Sequence, residues 1–194
     1  MIEVQNLKVV YPELTITFDD VTFKENAITF IKGPNGSGKT TFLKSLSKLI
    51  RYEGTITGNQ DVTYNSPKPV LFHRTVLENI TYPLHIRNLN VELYMEAINH
   101  FAEKLNLTPL LQKNAHKLSD GEQKKTSILR SIVFGPKILL LDEPTTSLDV
   151  ESIVELTILL KELKKQMTII IVSHDRSFIE DLHDDQIELG GNYV

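Results

Sequence analysis

Gly33-Pro34-Asn35-Gly36-Ser37-Gly38-Lys39-Thr40 fits the spacing G-x-x-x-x-G-K-[ST], and its reading decides the fold. A polyanion needs many donors aimed at one point, and side chains would block them, so glycines at 33, 36 and 38 let backbone N–H groups curl around phosphates. Lys39 adds a point charge near the terminal phosphates, and the Thr40 hydroxyl suits a hard cation such as Mg2+. The run Ala27-Ile28-Thr29-Phe30-Ile31 before the loop is short, apolar and β-branched, which predicts a buried strand. From Thr41 to Ile50, the apolar residues Phe42, Leu43, Leu46 and Leu49 follow helical spacing, and a helix there points its positive end at the same phosphates. Strand, loop and helix in that order imply that the chain holds a nucleoside triphosphate.

The second half of the chain supplies the chemistry. Ile138-Leu139-Leu140-Leu141 is wholly apolar and ends in Asp142-Glu143, the pattern of a central parallel strand delivering carboxylates to its C-terminal edge. One acid can hold a metal shell and the next can orient an attacking water. A helix over Glu151 to Lys165 and a second buried strand over Thr168 to Val172 predict an α/β fold.

Leu118-Ser119-Asp120-Gly121-Glu122-Gln123 resembles the signature motif of the ATP-binding cassette family. Five such matches fall in family order: Gly33 to Thr40, the signature, the acidic strand end at Asp142-Glu143, Ser147-Leu148-Asp149, which resembles the D-loop, and His174, which resembles the switch histidine. The resemblance implies one ATPase domain over residues 1–194. Its phosphate-loop core carries a mostly parallel sheet, an N-terminal antiparallel β subdomain, and a helical subdomain inserted over about residues 65–134. It further implies ATP and Mg2+ as cofactors, with Thr40 and Asp142 on the metal and Glu143 and His174 catalytic. Nucleotide contacts are expected from Tyr11, stacked on adenine, from Gly33 through Thr41, and from Ser119, Gly121 and Asp149. In this family the signature closes over a nucleotide held by a different subunit. The implied partners are therefore a second ATPase subunit, identical or not, and an integral membrane permease. Ser119-x-x-Glu122 also reads as a capping box opening a helix over Lys124 to Val133, and both readings can hold at once.

One position departs from the pattern. Where the family places a glutamine that contacts magnesium and water, this chain has Pro67, with Asn65 and Ser66 as candidate replacement oxygens. Prolines at 67 and 69 also stiffen the segment.

Elsewhere the sequence bounds the answer. The 194 residues suit one domain with a proper core, and the absence of cysteine excludes disulfides and thiolate metal sites. No apolar run approaches the ~20 residues that span a bilayer, and Met1-Ile2-Glu3-Val4 does not begin a secretory signal. A net charge of −4 without a basic run disfavours nucleic acid as a partner. Ile2 to Val10 and Leu14 to Phe23 alternate as half-buried strands, Val91 to Leu105 carries a helical face capped by Asn90, and Gly190-Gly191-Asn192 offers a closing turn. His73, His85, His100, His116 and His183 stand outside any motif and are read as surface or structural. Three function classes remain in view: the cytoplasmic energy-coupling subunit of a transporter, peripheral on the inner face of the membrane through its permease; a non-transport cassette protein; and a weakly hydrolysing regulator. The first is preferred, because Phe72 to Ile80 also resembles the region that receives a permease's cytoplasmic helices.

Overall fold

A computed structural model describes residues 1–190 and the backbone of Asn192 and Tyr193. The strands are β1 (Ile2–Tyr11), β2 (Leu14–Thr17), β3 (Val21–Phe23), β4 (Ile28–Lys32), β5 (Glu53–Thr57), β6 (Val62–Asn65), β7 (Ile138–Asp142), β8 (Thr168–Val172), β9 (Asp185–Glu188) and β10 (Asn192–Tyr193). The helices are α1 (Lys39–Leu46), α2 (Val76–Ile86), α3 (Met95–Lys104), α4 (Asp120–Ile132), α5 (Val150–Leu163) and α6 (Arg176–Leu182). Helices α2, α3 and α4 fall between β6 and β7 in the chain.

One sheet is parallel throughout, in the order β6-β7-β8-β4-β9. Its strands face two cores, because successive side chains of a strand point to opposite faces. Phe30, Leu139, Leu141, Ile169 and Ile171 pack with buried residues of α2, α4, α5 and α6. Their neighbours Ile31, Leu140, Ile170 and Val172 pack with Phe42, Leu43 and Leu46 of α1 and with the antiparallel sheet. Burying each such Leu, Ile or Phe contributes about 1.5–3 kcal/mol, which explains why these strands read as unbroken apolar runs.

The antiparallel sheet is built on β1, which pairs with β2 and β3 along one edge and with β5 along the other. The stretch Leu14–Phe23, expected as one strand, is two. Both halves keep a single register against β1, Lys8 lying opposite Thr17 and Val4 opposite Val21. Between them Asn6 adopts φ 51° and its N–H donates to Asp20 Oδ1 at 2.7 Å, so a side chain takes the bond that the ladder would have used.

Helix α1 also differs from expectation. It starts at Lys39 and stops at Leu46, where the Ser47 hydroxyl donates to Leu43 O and Lys44 O at 3.1 Å each and Lys48 turns to φ 58°. Leu49 therefore leaves the buried face and is 61% exposed. The helical reading of residues 91–105 holds as a 3-10 turn over Val91–Tyr94, capped by the Asn90 side chain, that runs into α3. Gly191 lies outside the described residues, and Asn192 opens β10 against Thr17 of β2.

Candidate nucleotide site

The phosphate loop leaves β4, Asp142-Glu143 ends β7, and His174 follows β8, and these three strands are neighbours running in one direction. Parallel pairing therefore brings their C-terminal ends to one edge, the place where open α/β sheets bind ligands. Gly38 stands at the start of α1 with φ 85°, and a Cβ there would lie 3.1 Å from the Phe18 ring. No side chain caps α1, so the first N–H groups of the helix stay open toward the loop. Lys39 Nζ donates to Gly33 O at 2.9 Å and to Pro34 O at 2.8 Å. Burial holds its pKa below the usual lysine value, while the charges of Glu143 and Asp142 oppose that shift. Gly33, Lys39, Ser173 and His174 line a cavity of about 590 Å3. Pro34, Asn35 and Gly36 are exposed, and Thr40 and Thr41 are half-buried in the first turn of α1.

Asp142 is 1% exposed, and its Oδ1 is a buried oxygen without a hydrogen-bond partner. Its Oδ2 accepts from the Tyr64 hydroxyl at 2.9 Å across the β6–β7 pair. Burial and the Asp142 charge push the Tyr64 pKa well above its usual value, so the phenol stays a donor. Glu143 adopts φ 49°, with its N–H donating to Val172 O at 2.8 Å. That turn aims its carboxylate at the end of β8, where Oε2 accepts from the His174 N–H at 3.4 Å and Oε1 lies 3.5 Å from His174 Nε2. Burial pushes the Glu143 carboxyl above the ordinary glutamate range, and His174 partly offsets the shift.

Ser119, Gly121 and Asp149 sit apart from this cavity. They line a second one, of about 580 Å3, with Asn106, Lys125 and Ser152, and no residue of Gly33 to Thr41 borders it. Ser119 caps α4 in a reciprocal box: the Glu122 N–H donates to Ser119 Oγ at 3.3 Å, and the Ser119 N–H donates to Glu122 Oε2 at 2.7 Å. A Cβ on Gly121 would lie 2.9 Å from Ser147 O, so only glycine lets α4 start this close to the turn that carries Ser147. Asp149 caps α5 by accepting from the Ser152 N–H at 2.8 Å. Tyr11 ends β1, 42% exposed, and does not border the phosphate-loop cavity.

At the departure from the pattern, Asn65 Nδ2 donates to Ser127 Oγ and Ser131 Oγ at 2.9 Å each, and Asn65 Oδ1 is left buried and unpartnered. The Ser66 hydroxyl turns onto its own loop and donates to Lys68 O at 2.7 Å. Tyr64 and Lys124 were not expected at the site. Lys124 is 1% exposed, and its Nζ donates to Ser66 O at 3.1 Å and Pro67 O at 2.9 Å. Its helical spacing with the buried residues Ile128 and Ser131 was the available signal. Among the other histidines, His73 stacks on His116 with ring centroids 3.4 Å apart, His100 meets Glu162, and His183 Nδ1 bonds Ile179 O. Among the described residues, no helix is long and apolar enough to cross a membrane.

A phosphate loop and an acidic strand end on one edge of a parallel sheet define the class as a phosphate-loop α/β nucleotide-binding protein. The family model described as ABC transporter matches residues 18–146, and a shorter match, to an AAA domain, covers residues 113–180. A tungstate uptake system ATP-binding protein of Peptoclostridium acidaminophilum is 34% identical, covering 100% of this chain and 96% of that protein. A phosphate import ATP-binding protein of Ligilactobacillus salivarius is 32% identical over 90% of this chain and 75% of its own length. The solved ATP-binding subunit of an ABC transporter superposes with a TM-score of 0.89 at 22% identity, covering 98% of this chain and 86% of that one, a likeness of fold. The chain belongs to the ABC transporter family, among its ATP-binding, ATP-hydrolysing subunits.

Proposed function

We propose that residues 1–194 form one ATPase domain, with about residues 65–134 as its inserted helical part, and that two such domains close head to tail around ATP. The observation that carries this reading is the separation of the cavity at Gly33 and Lys39 from the cavity at Ser119, Gly121 and Asp149. One chain offers half of a site twice over, and two chains facing each other complete both halves. The positive N-terminal end of α4, with its Ser119 cap, then meets the terminal phosphate of a partner's nucleotide. Glu143 acts as general base on the attacking water, its raised pKa making it a stronger base than an ordinary carboxylate. His174, beside Glu143, orients that group and the terminal phosphate. Tyr11 and Thr41 complete the nucleotide contacts.

The unpartnered Asp142 Oδ1 and the Thr40 hydroxyl are hard oxygens of the kind that Mg2+ prefers, and both residues would hold the ion. Mg2+ would supply charge neutralisation on the β- and γ-phosphates. The mechanical partner is a membrane permease, received at Phe72 to Ile80 and keeping this subunit on the inner face of the membrane. There Asn79 holds Phe72 in place by accepting from its N–H at 2.8 Å and donating to its carbonyl at 3.1 Å. The relatives named for tungstate uptake and phosphate import support import as the direction.

Glu143→Gln tests the reading. It should lose roughly 10²-fold or more in turnover, keep ATP affinity, and elute as an ATP-bound dimer from size exclusion. Hydrolysis at the wild-type rate by this variant would remove Glu143 from its role.

A further inference from the structure

Lys124 is a buried cation that the reading above leaves unused. Its ammonium meets two carbonyl oxygens, those of Ser66 and Pro67, and no carboxylate lies within ion-pair distance of it among the described residues. Burial pulls its pKa down to about 8, and the charges that oppose this are those of Asp142 and Glu143. A cation in this position is a costly way to staple a helix to a strand, since a methionine of similar length would fill the space without desolvation. The staple already exists one turn further along α4, where Asn65 bonds Ser127 and Ser131. Lys124 therefore adds something that the Asn65 contacts do not.

Its location shows what that is. Pro67, Lys68 and Pro69 from the exit of β6, Asp120, Gln123 and Lys124 from the start of α4, and Thr146 and Ser147 from the turn after Glu143 surround a cavity of about 320 Å3. Three segments that carry the candidate chemistry meet across open space, so packing alone does not fix their spacing. The two bonds from Lys124 cross from α4 to the β6 exit, and the β6–β7 register, with Asn65 opposite Leu141, sets that exit beside the Asp142-Glu143 end of β7.

We propose that Lys124 is a positioning residue for hydrolysis: it ties the Ser119 end of α4 to the β6 exit, which runs beside the acidic end of β7, and so holds the helical segment at a fixed spacing from the catalytic carboxylate. The proposal rests on the ATPase reading given above. It places a cation of the chain's own at the segment where Pro67 stands.

The test compares Lys124→Met and Lys124→Arg with wild type in ATP affinity, melting temperature and turnover, using the chain with its membrane partner where activity requires it. Wild type must first hydrolyse ATP and form the ATP-dependent dimer; failure there overturns the ATPase reading itself rather than the role of Lys124. With wild type active, Lys124→Met should keep ATP affinity within about threefold, melt at the same or a higher temperature, and lose at least about tenfold in turnover. Lys124→Arg should recover part of the loss. Turnover of Lys124→Met within twofold of wild type overturns the proposal. So does a loss of turnover matched by an equal loss of affinity or by a lowered melting temperature, which is what a purely structural contact would give. Should the methionine variant not fold, Lys124→Gln carries the same comparison, because it keeps a donor and drops the charge.

Discussion

Glu143 is held in a left-handed turn, half-buried beside His174, and its environment raises its proton affinity. A general base works ionised, so turnover should fall as pH drops through this raised pKa, and the acid limb should lie above the ordinary glutamate value of 4.5. A profile of kcat against pH checks this, and a limb at or below that value would contradict it. At this scale Gly33 to Thr40, Ser119, Gly121, Asp142, Glu143 and His174 were legible, because each is a residue type at a fixed spacing from others. Tyr64 and Lys124 were not. Their partners come from a neighbouring strand and from a loop 57 residues away, and although helical spacing puts Lys124 on the buried face of α4, nothing in the local sequence names the groups that its ammonium or the Tyr64 hydroxyl meets.

The elements that read well are the ones whose environment is one-sided or fully enclosed. Strands β4, β7 and β8 are buried on both faces, so their apolar runs survive any register. The capping box at Ser119 marks the start of α4 because the cap is written within four residues. The break between β2 and β3 depends on Asn6 across the hairpin, and the early stop of α1 depends on a serine that bonds back to the helix, so neither shows in hydrophobic spacing. The contact between α4 and the Ser147 turn belongs to this scale as well. Gly121→Ala would bring a Cβ to 2.9 Å from the Ser147 carbonyl and push the two elements apart. Thermal unfolding should show a loss of about 1–3 kcal/mol. Turnover should drop while ATP affinity, set by the Lys39 loop, stays near wild type; an unchanged melting temperature with unchanged turnover would show that the contact is slack.

In the molecule as a whole, each motif was readable, whereas the partition of the motifs between two cavities is a property of the fold. The linear order of Lys39, Ser119 and Glu143 is equally compatible with a site closed within one chain. The position of α4, whose Ser119 end borders a cavity that no phosphate-loop residue lines, supports the shared site that the family resemblance implies. The most direct measurement mixes a Lys39→Ala chain with a Ser119→Arg chain and assays ATP turnover, with and without the membrane partner. Each variant alone should be nearly inactive, since every site in its homodimer pairs one broken half with one intact half. In the mixture half of the dimers are mixed, and one of the two sites in each is intact, so up to about a quarter of wild-type turnover should return. A mixture as inactive as its components, with mixed dimers shown to form, would contradict the shared site.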